Sequence, residues 1–452
     1  MARTEPRRAA VVGAGPSGFY AAGQLLAAGF EVDLFDALPT PFGLVRAGVA
    51  PDHPKIKTVT RIFDKIAAKD GLRFFGGVIV GRDIAARELA ERYHAVVYAF
   101  GTAADNRLGI PGEDLPGSHA ATAFVGWYNG HPDHAHATYD LTAEHAVVIG
   151  NGNVAIDVAR MLVLAPEELQ PTDTADHALD AFAASSIREV SVVGRRGPAQ
   201  AAFTTPELLE LGDLSRADVV VDPDDLHGIP EDAGRNVDIL RDYAARTPRA
   251  DASHRIRLRF FWSPVEIVGD GRVEAIRLAR NRIVGGRAVP TGEVQEIACG
   301  LVVRSIGYRG TPVEGIPFDD ARGLVRNVGG RVVDEDGALV PGTYVTGWVK
   351  RGPSGVIGTN KKDSAETTAC VVADAEAGVL DGPPVPDAAE VQQWLLSRVP
   401  GAVGWDGWSR LDAHEVATGS GAGRPRVKVV HLDAMARIAT GADDQAAAGA
   451  GS

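Results

Sequence analysis

Short, wholly apolar runs alternate with amphipathic stretches from residue 9 onward, and the alternation starts afresh at residue 146. Unbroken apolar runs suit strands buried on both faces, and helical stretches between them suit crossover connections. The pattern therefore predicts an α/β fold of parallel sheets covered by helices. Residues 9–12 read as a strand, 19–28 as a helix and 30–36 as a second strand. Regions 183–197 and 254–308 read as further strands, the latter with β-rich runs at 255–262, 272–279 and 301–306. No solenoid-like repeat is present. From about Gly419 the chain turns rich in Gly, Ala, Ser and Asp, and its last dozen residues (441–452) read as a disordered tail.

A chain of 452 residues has room for two or three domains with real cores. Its formal charge of −13 argues against broad nucleic-acid binding, which needs a basic surface to displace counterions. Any basic docking site must be local. The only two cysteines, Cys299 and Cys370, supply no disulfide framework, no CxxC pair and no cluster or metal ligand set. No window reaches the roughly 18 apolar residues of a membrane span. The charged start of the chain lacks the apolar core of a signal peptide, so a cytoplasmic protein is expected.

The first apolar run ends in Gly13, Gly15 and Gly18, a GxGxxG turn that leads into the helical stretch. Gly13 permits the tight turn, Gly15 lets the backbone approach a pyrophosphate, and Gly18 lets helix and strand pack closely. Ala14, Pro16 and Ser17 complete a turn whose helix N-terminus attracts an anion. Asp36 ends the next strand, 23 residues after Gly13, about where an acid bonds ribose hydroxyls. A second fingerprint has glycines at 150 and 152 with Ala155 in the packing position. Two such sites imply two dinucleotides and two Rossmann-like dinucleotide-binding units. The strand that follows the second site, residues 189–194, ends in Arg195 and Arg196 instead of an acid. A guanidinium fork binds a 2′-phosphate that a carboxylate would repel, so NADP(H) is preferred to NAD(H).

Three longer stretches narrow the choice: residues 39–55 (PTPFGLVRAGVAPDHPK), 194–204 (GRRGPAQAAFT) followed by Glu207, and 347–361 (GWVKRGPSGVIGTNK). They resemble the adrenodoxin reductase type of ferredoxin–NADP reductase, and the similarity runs over nearly the whole chain. The resemblance implies a discontinuous FAD domain, 1–104 and 312–440, with an NADP domain, 105–311, inserted in it. It implies FAD contacts at Leu44, Val80 and Gly101, at Trp348, and at Gly355, Val356 and Ile357, whose backbone meets the flavin ring at a helix N-terminus. For NADP it implicates Asn153, Val154, Ala155 and Ile156 at the pyrophosphate, Arg195 and Arg196 at the 2′-phosphate, and Glu207 near the ribose or nicotinamide. Gly355 is expected to touch both cofactors. His53 and Glu210 become the titratable candidates beside the reacting rings, with Asp157 behind His53. The implied reaction is hydride transfer from NADPH to flavin N5, then single-electron transfer to an iron–sulfur ferredoxin, with no metal required. A monomer is implied too.

A disulfide reductase would share both fingerprints but needs a redox-active cysteine pair, whereas Cys299 and Cys370 are 71 residues apart in apolar surroundings. A flavin monooxygenase signature, FxGxxxH, fails by one residue: His131 lies where only Gly130 would fit. A non-catalytic NADP sensor would keep the folds without turnover, but the flavin-facing segment is intact. Ferredoxins of this kind are acidic. Residues 235–259 hold seven arginines against three acids, which makes Arg241, Arg246 and Arg249 the expected dock, with Arg255, Arg257 and Arg259 on one strand face beside them.

Overall fold

The computed structural model describes residues 6–355 and 357–442. The disordered-tail expectation at 443–452 and the flavin contact expected of Val356 lie outside the described residues. The chain opens as β1 (Arg8–Val12), α1 (Pro16–Ala27), β2 (Glu31–Asp36), α2 (Leu44–Ala47), α3 (Pro54–Lys57), α4 (Thr60–Ala67), β3 (Leu72–Gly76), α5 (Ala86–Ala90) and β4 (Ala95–Tyr98). After β5 (Ala104–Asp105) come β6 (Ser118–Ala120), α6 (Ala121–Tyr128), β7 (His145–Ile149), α7 (Asn153–Val163), β8 (Glu189–Val193), β9 (Ala217–Val221) and β10 (His254–Arg259). Next are β11 (Trp262–Val268), β12 (Ala275–Val284), β13 (Arg287–Ala298), β14 (Leu301–Arg304) and β15 (Tyr308–Arg309). The chain then forms a small ribbon of β16 (Phe318–Asp319) and β17 (Leu324–Val325), followed by β18 (Asn327–Val328), β19 (Arg331–Val333) and β20 (Leu339–Val345).

Two sheets organise these elements, both parallel except at the β18-β19-β20 edge of the first, which is antiparallel. The first has the order β18-β19-β20-β4-β1-β2-β3, so β20 from late in the chain lies parallel to β4 and completes a sheet begun at residue 8. The second, β6-β14-β7-β8-β10-β9, is formed wholly between those two parts of the chain. Where the chain leaves the first sheet and where it returns, β5 and β15 pair with each other antiparallel, Tyr308 opposite Asp105.

The apolar runs are buried on both faces, as continuous runs require. Ala9 and Val11 of β1 pack under α1 with Phe19 and Leu25, while Ala10 and Val12 face the opposite core. In the second sheet Ala146 and Val148 face the helices, but Val147 and Ile149 face the antiparallel sheet β11-β12-β13 with Ile276 and Leu278. Helices thus cover one face of that sheet and a β-sheet covers the other, where helices were expected. β13 lies within the region read as strands but outside its β-rich runs, because most of its residues are exposed, which leaves no apolar period to read. Parallel α/β sheets bind ligands outside the carboxyl ends of their strands, and both glycine turns lie there.

Candidate active site

Gly13 adopts φ +111° and donates its N–H to the Phe35 carbonyl at 2.8 Å; a Cβ there would stand 2.6 Å from the Ala99 oxygen. At Gly18 a Cβ would lie 1.8 Å from the Gly13 oxygen, so helix and turn touch backbone to backbone. Gly15 differs. A Cβ there would meet only the Gly43 Cα, at 4.0 Å, and beside Gly101 it would meet nothing within 4 Å. α1 starts with Pro16, and no side chain caps Gly15, so the first-turn amides have no side-chain acceptor. That open, uncapped cradle fits a dinucleotide pyrophosphate.

Asp36 braces the turn: its carboxylate accepts the N–H of Ala14 at 2.8 Å and that of Leu38 at 2.9 Å. Burial pushes its pKa up to about 6, against the pull of those two amides. Leu44 opens α2 with 49% of its surface exposed, and Val80 is half-buried beside the core. The end of β20 closes the cradle from the other side. Gly347, φ +77°, sits so close to Ser17 that a Cβ would lie 2.4 Å from its hydroxyl. Asp363 accepts the Gly347 N–H and pairs with Lys350 at 3.0 Å, both side chains buried. Beyond it, Trp348 stacks on Tyr308 with ring centroids 5.9 Å apart, and its indole N–H is buried without an acceptor among the described residues. Gly355 is left-handed at φ +81°, and Ile357 begins the helix Ile357–Glu376.

The second cradle repeats the first. Gly150 has φ +122° and bonds the Val193 carbonyl at 2.8 Å, Gly152 faces open space and caps α7 without a side chain, and Ala155 is fully buried. Val154 is half-buried against the helix-side core, and Ile156 lies within it. Asn153 accepts the Thr204 N–H at 2.8 Å, which ties α7 to the loop carrying the arginines. That loop is held through its backbone: Asn281 bonds the Arg195 carbonyl at 3.0 Å and the Phe261 amide bonds that of Arg196 at 3.0 Å. The guanidinium groups of Arg195 and Arg196 are exposed and meet no carboxylate among the described residues. One Glu207 oxygen is buried without a donor among the described residues.

Between the cradles, His53 Nε2 meets Glu210 Oε2 at 2.7 Å, so a residue following the first cradle touches one from the helix Thr205–Glu210 near the second. Asp157 makes no direct hydrogen bond to His53 among the described residues. It bonds Arg160 at 2.9 Å, and Arg160 also grips Asp52 at 2.6 and 3.0 Å and reaches Glu210 at 3.4 Å. Burial would lower the pKa of Arg160, but these three carboxylates outweigh it and raise the value above that of a free guanidinium. Burial raises the pKa of Asp157, against Arg160 and His53. Sequence reasoning missed Arg160; the available signal was an arginine one turn after Asp157 on an otherwise apolar helix. It missed Tyr128 as well, whose buried hydroxyl lies in the field of Asp157, Arg160 and Asp52 without a hydrogen-bond partner among the described residues.

The expected arginine dock is engaged within the protein. Arg241 bonds the carbonyls of Ile229 and Pro230 at 2.9 and 2.8 Å and pairs with Asp238. Arg249 pairs with Asp218 at 2.9 Å, and Arg246 lies over the Tyr243 ring at 4.5 Å. β10 is an interior strand between β8 and β9; Arg255 is exposed, Arg257 and Arg259 are half-buried, and Glu189 sits between the first two. Cys299 is buried, its thiol pKa pushed up to about 12 by burial, and Cys370 is half-buried. Phe124, Trp127 and Tyr128 are core residues.

Residues 7–193 match the pyridine nucleotide-disulphide oxidoreductase family. The chain is 50% identical to the NADPH-ferredoxin reductase FprA of Mycobacterium tuberculosis, over 96% of this chain and all of that protein. It is 45% identical to human mitochondrial NADPH:adrenodoxin oxidoreductase, over 95% of this chain and 91% of that one. The solved structure of Mycobacterium tuberculosis FprA in complex with NADPH superimposes with a TM-score of 0.92 at 48% identity, covering 96% of this chain and 100% of that one.

Proposed function

Because the chain belongs to the NADPH-ferredoxin reductase family that includes adrenodoxin reductase, we propose that it is a ferredoxin–NADP reductase that carries FAD, oxidises NADPH and reduces an acidic iron–sulfur ferredoxin. The observation that carries the reading is the pair of open, uncapped glycine cradles at the carboxyl ends of two parallel sheets, one with two unpaired arginines beside it. When bound, the flavin accepts a hydride from NADPH and releases single electrons to the iron–sulfur partner. The protein binds and orients. The amides of α1 hold the FAD pyrophosphate, with Gly15 and Gly101 leaving room for it. Those of α7 hold that of NADP, and Arg195 and Arg196 clamp its 2′-phosphate through charge-assisted bonds. Glu207 offers its free oxygen to the nicotinamide side, and Trp348, Gly355 and Ile357 border the flavin. His53 and Glu210 orient the reacting rings, their contact held by Arg160 and Asp157.

A thiol mechanism has no support, since Cys299 is buried and distant in sequence from Cys370. Among the described residues no helix is long and apolar enough to cross a membrane. A monomer of the cytoplasm fits this reading, and Arg241, Arg246 and Arg249 are one candidate for the ferredoxin dock. The test is rapid mixing of purified protein with NADPH, with NADH as control. Oxidised-flavin bands should bleach, at far lower NADPH than NADH. A protein without flavin bands, or one bleached equally by both nucleotides, would overturn the reading.

A further inference from the structure

The arginine loop that follows β8 takes its place from residues far along the chain. Three successive carbonyls, those of Gly194, Arg195 and Arg196, each accept a hydrogen bond from one end of the antiparallel sheet β11-β12-β13 or the turn leading into it. The Trp262 amide donates to Gly194 at 3.0 Å, the Asn281 side chain to Arg195 at 3.0 Å, and the Phe261 amide to Arg196 at 3.0 Å. Only the middle bond comes from a side chain.

Asn281 is held for that bond on several sides. It lies on β12, 5% exposed, where the pairing with β13 slips between Ala279 and Asn281. Its backbone N–H donates to the Phe261 carbonyl at 2.6 Å, and its side chain also donates to the Ser263 hydroxyl at 2.8 Å. A carbonyl can only accept, so the amide presents its NH2 to Arg195. Phe261 holds φ +62°, a left-handed conformation that is costly for a bulky residue. Successive amides of a regular strand point opposite ways, and the left-handed residue breaks that alternation, so that the amides of 261 and 262 both meet the loop. The Phe261 ring lies so close to Gly197 that a Cβ there would stand 2.5 Å from it. Arg280, beside Asn281, secures the same turn: it pairs with the buried Asp225 at 2.8 Å, and Asp225 accepts the Phe260 N–H at 3.1 Å.

We propose that Asn281 is a specificity-determining positioning residue: by fixing the Arg195 carbonyl it sets where the two exposed guanidinium groups stand, and so how strongly the protein prefers NADPH to NADH. Forked, charge-assisted contacts to a phosphate depend on direction as well as charge, so the backbone from which the arginines spring decides their strength. The antiparallel sheet that covers this face in place of helices thereby acquires a role, since its end supplies the donor. The inference rests on the reading in which Arg195 and Arg196 clamp the 2′-phosphate.

In the FAD-loaded enzyme Asn281→Ala should raise KM for NADPH about tenfold, the scale of one lost hydrogen bond, and leave KM and kcat for NADH unchanged. Titration calorimetry reads the same effect without turnover: the Kd of adenosine 2′,5′-bisphosphate should rise by a similar factor, and that of 5′-AMP should not. In an Arg195→Ala/Arg196→Ala background the substitution should have no further effect on NADPH. Ser263→Ala, which takes away the second partner of the Asn281 amide, should act in the same direction to a smaller extent, and it decides the question if Asn281→Ala does not retain flavin. Equal losses with NADPH and NADH, an unchanged Kd for the bisphosphate, or full additivity with the arginine substitutions would overturn the inference. If the Arg195→Ala/Arg196→Ala protein itself keeps the wild-type preference for NADPH, the reading of the pair as the 2′-phosphate clamp fails instead.

Discussion

Arg160→Met removes the group that holds the two nucleotide-binding parts together at the site. The guanidinium is 3% exposed and lies within 3.4 Å of three carboxylates, Asp52 from the stretch after the first cradle, Asp157 on its own helix, and Glu210 beside His53. Removing one partner of a buried ion pair costs about 3–5 kcal/mol, because the remaining charges stay desolvated. Asp52 and Asp157 keep 19% and 16% exposure, and Glu210 retains His53, so the lower end, about 3 kcal/mol, is expected at pH 8. The pH dependence has a definite sign. Burial already holds Asp157 above its ordinary 3.8, and loss of Arg160 raises it further. The folded variant then binds a proton at a pH where the unfolded chain does not. Its deficit is therefore full above the folded pKa and shrinks as pH falls toward 3.8. Denaturant unfolding of holoenzyme at pH 8 and pH 5 reads this directly, and Arg160→Lys should recover part of the loss. If the variant is as stable as wild type, or equally destabilised at both pH values, the carboxylates are not held by Arg160 as argued.

Replacing Arg195 and Arg196 with alanine should raise KM for NADPH by roughly tenfold or more per residue, from about 1.5–3 kcal/mol per charge-assisted bond, and leave NADH nearly untouched; equal losses for both nucleotides in steady-state assays would place the pair elsewhere. Gly15→Val should fold but lose FAD, since its side chain enters space no protein atom fills, whereas Gly18→Ala should lose stability even without cofactor because its Cβ would stand 1.8 Å from the Gly13 oxygen. Flavin absorbance and melting of the apoprotein separate the two, and a yellow Gly15→Val protein would refute the cradle. Burial pushes the pKa of Lys428 down to about 7 from 10.5, against the attraction of Asp173. Between those values the unfolded chain holds a proton that the folded one lacks, so wild-type stability should rise with pH across that window. Lys428→Met should reduce the rise and leave the part due to Lys57, whose pKa burial also lowers and which stays on Asp173 at 2.6 Å; parallel stability curves for the two proteins would contradict the assignment.

The parts of the site that sequence made legible are those whose chemistry is contiguous. A strand, a glycine turn and a helix N-terminus occupy about ten successive residues, so Gly13, Gly15, Gly18, Gly150 and Gly152 could be placed from spacing alone, and Arg195 and Arg196 follow from the strand they terminate. The backbone conformations agree, with positive φ at Gly13 and Gly150 and open space at Gly15 and Gly152. Asp157 bonds Arg160 on its own helix and not His53 directly, because a carboxylate's partner is chosen by whatever the fold brings within 3 Å.

What only the tertiary structure decided is which distant residues meet. Arg160 gathers Asp52 and Glu210 across 108 and 50 positions of sequence, and β20 crosses most of the chain to pair with β4. Net charge and arginine density pointed to segment 235–259 as the basic face. Folding pairs four of its seven arginines with Asp218, Asp238 and Glu189, whereas Lys55, Lys65, Lys69, Lys361 and Lys362 are exposed and meet no carboxylate among the described residues. Local backbone chemistry is encoded by neighbours in sequence, whereas the net charge a surface presents depends on pairings between residues far apart in the chain, and those exist only once the chain has folded.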